Sequence, residues 1–398
     1  MNPRERKILI VTCFGHFLSH FNMLVFPAIL MPLAGRLGMD MGEVLGLSFW
    51  MYLLFGLTAL PWGVATDRYG AVPFLFLFFA GAGAGGLAAA FFIDSPVALT
   101  VCLATIGLFS GIYHPAGLGW ISKEIDRVSL GMAYNGIFGN LGLALAPLLA
   151  GVVNWLWGVK AVYVAVGALN LAGAAMLLLA PTAESPGETR AKPSQGSESV
   201  RGFLILLGAM MLGGVAYRGA TVILPAYFEI KNTGIFDWLS GFFSGGLSEN
   251  LVATTVTSVI FIIGMAGQFT GGWMAERYEQ RRLYLIFHAL PIPAALLMAI
   301  LTDIPLVILA VIYFFFLLGM QPIENTLVAR FTPRHFHHAA YGTKFVLTFG
   351  VGAMAVKMIE AIRGGYGIEA VFPALAAVSL GLVGVILILM KNTPRMDP

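Results

Sequence analysis

Nine ionisable side chains interrupt long apolar runs. They are His16, His20 and His114 in the first half of the chain, and Arg218, His288, Glu324, Lys344, Lys357 and Glu360 in the second. A charge at the centre of a membrane helix costs about 2.5–3.5 kcal/mol on insertion scales. Each of these groups therefore needs a partner, a wet cavity or a function. Arg218 stays protonated in any protein environment and could clamp a carboxylate or phosphonate. Glu324 and Lys344 fall at matching depths from the same end of their helices, which suits either an ion pair or a proton site. His114 falls at comparable depth. Lys357 and Glu360 are three residues apart near the other end and suit an outer gate pair. His16 and His20 are four apart and share a helix face. Two imidazoles at that spacing can ligate a metal, but the sequence shows no third ligand, so no metal site is expected. His335, His337 and His338 read as inner-surface charge. No GxxxxGK[ST] loop occurs, which excludes ATP as the energy source. No catalytic constellation stands out, so neither an enzyme nor a cofactor is expected.

These residues need elements that hold them in an apolar medium. Of the 398 residues, 58% are hydrophobic and 11% charged, and the mean hydropathy is +0.85. An ordinary soluble domain carries roughly 25% charged residues. The composition excludes a cytosolic enzyme, a disordered chain and a fibre. Cys13 and Cys102 lie in apolar runs and give no disulfide framework. The net charge of +3 is too small to suggest nucleic-acid binding. A spanning helix needs about 20 apolar residues. Twelve such stretches run over 8–33, 44–64, 72–92, 97–119, 129–152, 159–180, 201–228, 249–272, 283–301, 305–329, 338–362 and 369–390. The expectation is an all-α polytopic membrane protein. Residues 229–249, with Trp238, Phe242 and Phe243, read as a short interfacial helix or a lid at the outer side.

The polar stretch 181–200, rich in Pro, Gly and Ser, reads as a cytoplasmic linker between six-helix bundles at 1–180 and 201–398. Of the 23 basic residues, sixteen fall on one side if both termini are cytoplasmic. Four fall on the other (Arg36, Lys160, Lys231 and Arg363), and three lie inside helices (Arg218, Lys344 and Lys357). The positive-inside rule selects that orientation. The halves also repeat. GVATDRYG from Gly63 matches GWMAERYE from Gly272 at an offset of 209, and Pro115 matches Pro322 at 207. Ala133-Tyr134 matches Ala340-Tyr341 at 207, and Pro27 matches Pro225 at 198. His20 and Arg218 share that last offset and become equivalent positions. Two repeats of six helices are what secondary transporters use to build a site.

With these motifs the chain resembles the major facilitator superfamily over its whole length. Gly63, Asp67, Arg68 and Gly70 look like the family's loop between helices 2 and 3, although Ala71 and Val72 stand where basic residues usually follow. Gly272, Glu276, Arg277, Arg281 and Arg282 form a second copy. The resemblance implies a latch at the cytoplasmic ends of the halves. GIYHPAG, from Gly111 to Gly117, is similar to the fosmidomycin-resistance branch of drug exporters. Gly136, Gly139, Asn140 and Gly142 loosely resemble the superfamily's antiporter motif, while the helix-4 arginine of many proton-coupled exporters is missing.

The resemblance implies a transporter working by alternating access around a central site formed by helices 1, 4, 5, 7, 10 and 11. Expected cavity residues are His20, His114, Tyr134, Asn140, Arg218, Gln321, Asn325 and Tyr341. Expected coupling or ion-pair residues are Glu324, Lys344 and His20. Three basic against two acidic residues inside helices favour an anionic or zwitterionic organic solute. Proton-coupled efflux from a bacterial inner membrane, by a monomer, follows from the branch resemblance. Uptake or exchange of a small organic anion such as a monocarboxylate is the alternative. A receptor or sensor on the same scaffold is the reading from another class.

Overall fold

A computed structural model describes residues 1–179, 200–243, 246–332 and 342–395. The chain divides into two compact units, Met1–Lys192 and Pro193–Pro398. The polar stretch 181–199, Tyr341 and the histidines at 335, 337 and 338 lie outside the described residues.

In the first unit, α1 (Pro3–Ala28) opens on a capping box. Glu5 N donates to Asn2 Oδ1 at 2.9 Å and Asn2 N donates to Glu5 Oε2 at 2.7 Å. Pro27 sits in its last turn, and α2 (Leu30–Leu37) carries the run on to Gly38. The second stretch is not one helix. It is α3 (Met41–Gly46), α4 (Phe49–Leu57) and α5 (Ala59–Tyr69), with a 44° bend between α4 and α5. Pro61 has no N–H for the Leu57 carbonyl, and Thr58 Oγ1 turns back to Leu54 O at 2.6 Å. The chain then forms α6 (Ala71–Phe91), α7 (Pro96–Ser110) and α8 (Tyr113–Glu124). The break between α7 and α8 is where Pro115 cannot donate to Gly111. Two expected stretches merge in α9 (Val128–Leu179), interrupted at Gly158 with φ 79° and ψ 172°. Between them stand no proline and no polar run. One residue in a backbone region open essentially to glycine alone makes the turn.

The second unit holds α10 (Val200–Lys231), α11 (Thr233–Ser240), α12 (Glu249–Ala275), α13 (Gln280–Ala289), α14 (Pro291–Met298) and α15 (Asp303–Phe331). The next span starts at Gly342, passes through a π-helical turn at Val346–Gly350 and a 3-10 turn at Val351–Ala353, and continues as α16 (Met354–Tyr366). The last helix is α17 (Val371–Asn392).

Among the described residues nine helices are long and apolar enough to cross a membrane, and the bent α3–α5 segment makes a tenth. The run Leu130–Leu179 has 50 residues. At about 1.5 Å per residue it is roughly 75 Å long, over twice a bilayer core, so it holds two spans. The short helices α13 and α14 together supply the remaining one. The fold is the twelve-helix, all-α architecture that the hydropathy predicts.

Equivalent helix pairs meet at equivalent points inside the two units. A Cβ on Gly142 in α9 would strike the backbone of Phe17 in α1. A Cβ on Gly214 in α10 would strike the backbone of Thr348 in the π-helical turn. In the repeat register Gly142 corresponds to Phe349, next to Thr348, and Phe17 to Val215, next to Gly214. The same close approach is kept with the glycine moved to the other helix. Likewise, an added Cβ would lie 3.4 Å from Pro115 at Gly63 and 3.6 Å from Pro322 at Gly272.

Candidate functional site

Three histidines converge in the first unit. His16 and His20 lie one turn apart on α1, and His114 comes from the first turn of α8. The ligand nitrogens of all three lie within 4.8 Å of one another. His16 Nε2 and His20 Nε2 are 3.2 Å apart. His16 Nδ1 lies 2.9 Å from Asn135 O. A carbonyl can only accept, so Nδ1 carries the proton and Nε2 keeps its lone pair. The support continues outward. Asn135 Nδ2 donates to Tyr113 Oη at 2.7 Å, and Tyr113 Oη donates to Thr12 O at 2.7 Å. The Tyr113 ring stacks on His16 with centroids 5.0 Å apart, and Phe55 meets His114 edge-on at 5.9 Å. Gly139 lacks the Cβ that would strike the His16 ring. The sequence paired His16 with His20 and saw no third ligand. The packing of α8 on α1 brings the His114 imidazole beside them, and 98 positions of separation from His16 hid it.

A second polar group in this unit was not anticipated. Asn22 Nδ2 donates to Asn170 Oδ1 at 3.1 Å and Asn170 Nδ2 donates to Asn22 Oδ1 at 2.9 Å. Asn22 Nδ2 also reaches Ser110 Oγ at 3.1 Å. All three are buried. The available signal was an amide inside an apolar run, which is weaker than a charge.

In the second unit Glu324 and Lys344 form the expected pair. Lys344 Nζ lies 2.8 Å from Glu324 Oε1 and also donates to Asn325 Oδ1. Tyr284 Oη donates to Glu324 Oε2 at 2.7 Å. Glu324 is 2% exposed and Lys344 7%. The His288 ring meets Tyr284 edge-on at 4.6 Å, so this histidine belongs to the same group. Tyr284 and His288 lie on α13, Glu324 and Asn325 on α15. The carboxylate thus joins three spans.

Arg218 is 3% exposed in the middle of α10. Its guanidinium carbon lies 5.8 Å from the centre of the Phe349 ring, on the π-helical turn. Single π turns in α-helices recur at functional sites. One turn away, Gly352 lies against the Gly214 carbonyl and within 3.6 Å of Arg218 Cβ if given its own Cβ. Gln321 accepts a hydrogen bond from Gln268 Nε2 at 2.9 Å.

The remaining expected residues are dispersed. Asn140 is half-buried and Tyr134 exposed. Lys357 Nζ lies 2.7 Å from Glu360 Oε2, both substantially exposed. Gly70, φ 91°, ends α5 and starts α6. Asp67 meets Lys123 of α8 at 3.4 Å. Arg68 lies over the Tyr69 ring at 5.2 Å and its equivalent Arg277 over Trp273 at 4.2 Å. Glu276 caps α12. The buried Arg281, by contrast, pairs with Glu279 and donates to Thr393 O at 2.6 Å, fastening α13 to the end of α17.

The apolar loop between α10 and α12 contains α11, and Ile235 N donates to Asp303 Oδ1 at 2.9 Å. Asp303 takes a positive φ of 52° to do so. Trp238 and Phe242 meet edge-on at 5.1 Å, both exposed.

A Haemophilus influenzae protein named for metabolite transport is 22% identical over 391 residues, covering 95% of this chain and 94% of its own. A bacterial homologue of the human lysosomal transporter Spinster, inward-facing and occupied, superposes with a TM-score of 0.79 at 14% identity over the full length of both chains. The nucleoside transporter NupG superposes with a TM-score of 0.74 at 14% identity, over 96% of this chain and 100% of that one. At such identities the two solved structures share the fold alone. The family description Major Facilitator Superfamily matches residues 12–356. This chain is an integral membrane transporter and belongs to that superfamily.

Proposed function

We propose that this transporter moves a small anionic or zwitterionic organic solute by alternating access, coupled to protons through Glu324. The observation that carries the reading is the buried Glu324–Lys344 pair with Tyr284 on the second carboxylate oxygen. A proton on Glu324 abolishes its attraction for Lys344 and turns an acceptor into a donor. Both changes alter the relative energy of conformations that hold the pair and conformations that separate it, which is the requirement for coupling. Arg218 supplies the permanent cation for the solute. Three basic against two acidic groups within helices give the bias toward anions. The domains are six-helix bundles at 1–180 and 201–398. Both termini face the cytoplasm, the membrane is a bacterial inner membrane, and the working unit is a monomer.

The GIYHPAG likeness supports efflux by antiport. Proteoliposomes with an imposed pH gradient test it. Carboxylate and phosphonate solutes should drive proton movement through the parent protein and not through Glu324→Gln. Solute counterflow should survive in Glu324→Gln but fail in Arg218→Ala. Proton movement unaffected by Glu324→Gln, or uptake kinetics unchanged by Arg218→Ala, sinks the reading. The metabolite-transport relative favours a second reading, uptake or exchange of a small organic anion. Countertransport of preloaded solute without proton movement would select it.

A further inference from the structure

We propose that His16, His20 and His114 form a binding site for a divalent late transition-metal ion such as Zn²⁺. The argument is geometric. Zinc–imidazole bonds of about 2.0–2.1 Å at tetrahedral angles place ligand nitrogens about 3.3 Å apart. His16 Nε2 and His20 Nε2 stand 3.2 Å apart. The third nitrogen lies within 4.8 Å of both, a gap that a rotation of the His114 ring closes. The ligand atom on His16 is in the required state, because Asn135 O holds the proton on the opposite nitrogen at 2.9 Å. Metal-bound histidines are commonly oriented in this way by a carbonyl. Tyr113 fixes that support in turn, through its bond from Asn135 Nδ2 and its stacking on the His16 ring. Three neutral imidazoles suit zinc, copper and nickel far better than calcium or magnesium. They leave the ion its full charge and a fourth position. Water or an anionic oxygen fills that position.

In the metal-free state one N–H bridges the two Nε2 atoms of α1. The ion takes the place of that bridge, and the displaced imidazole keeps a single proton on its other nitrogen. No charge is created on the protein. The proposal concerns binding and stands apart from proton coupling at Glu324 in the second unit.

Cobalt binding to the full-length protein in detergent tests it. The protein is purified without a polyhistidine tag and carries His335→Gln, His337→Gln and His338→Gln, which removes the other cluster. One equivalent of Co²⁺ should bind with the intense visible absorption of a four-coordinate ion. Replacement of His16, His20 or His114 by Gln should each weaken binding at least about 100-fold, beyond the loss typical of outer-shell changes. His288→Gln should leave it unchanged. His114→Cys should retain cobalt and add a thiolate charge-transfer band, which reports ligation directly even if a Gln variant misfolds. No stoichiometric Co²⁺ or Zn²⁺ binding by the parent overturns the proposal. So does binding that survives all three Gln variants, or a His114→Cys protein without the thiolate band.

Discussion

Seven residues before the first-helix proline of its unit stands His20, and seven before the equivalent proline stands Arg218. At the common register, His16 corresponds to Gly214 and His114 to Gln321. One layer of the repeat thus holds three imidazoles in the first unit, and a glycine, a guanidinium and an amide in the second. The ion pair shows the reverse. Glu324 and Lys344 correspond to Gly117 and Ile137 in the first unit. A Cβ at Gly117 would lie 2.6 Å from the Tyr113 ring, so the space that Glu324 occupies in one unit is filled by Tyr113 in the other. Duplication kept the helix contacts, including the exchanged glycines at Gly142 and Gly214, and let the chemistry diverge. The first unit holds a cluster of imidazoles. The second holds a buried arginine and a buried ion pair.

The largest expected effect breaks that buried ion pair. Lys344→Met leaves a buried carboxylate, and losing one partner of a buried pair typically costs about 3–5 kcal/mol. Thermal unfolding in detergent should show a large loss for Lys344→Met and recovery in the Glu324→Gln/Lys344→Met double variant. If the single variant is as stable as the parent, the pair does not hold its three spans together.

Smaller losses test the shared contacts. Gly142→Ala and Gly214→Ala each drive a methyl into a neighbouring backbone, and overpacking of this kind costs about 1–3 kcal/mol. The two should agree within a factor of two if the repeat preserves the contact with the glycine exchanged. A loss in one variant alone means that the two approaches are not equivalent. Gly158→Ala, at φ 79°, should cost a similar amount through backbone strain alone. Asn170→Leu removes the reciprocal amide pair with Asn22, and an orphaned buried amide costs about 1–3 kcal/mol. Adding Asn22→Leu should restore part of it.

Much of the fold was legible before any coordinates. Unbroken apolar runs give spans, and their lengths leave little choice of partner element. The breaks were less legible. Pro61 and Pro115 stand at two of them, but the single turn at Gly158 had no polar run to announce it. Glu324 with Lys344 was legible because charge is scarce and both sit at one depth. His114 as a partner of His16 was not, since depth says nothing about which helix faces which. Asn22, Asn135 and Asn170 were missed for a different reason. Amides carry no charge, so their cost in the membrane is small enough to pass as background. Only the reciprocal bonds reveal that Asn22 and Asn170 are paired, and only its bonds to Tyr113 and His16 single out Asn135.

The smallest effect compares the two units away from the apolar core. In the first, Arg36 Nε lies 2.6 Å and Lys160 Nζ 3.8 Å from the carboxylate of Asp94. In the second, Lys231 meets Glu369 at 3.8 Å. The Arg36 hydrogen bonds hold the Asp94 carboxyl below its ordinary value of 3.8. A carboxyl with a depressed pKa stabilises the fold above its unfolded value and loses that contribution as pH falls through the folded value. The Asp94 pairs are therefore intact at neutral pH and weaken only in acid, below about pH 4. Arg36, Lys160 and Asp94 are exposed and screened, so the change in melting temperature should be slight and should shrink further in high salt. Asp94→Asn should remove that acid-dependent component. A melting curve whose acid dependence is the same with and without Asp94 would place the acid sensitivity elsewhere.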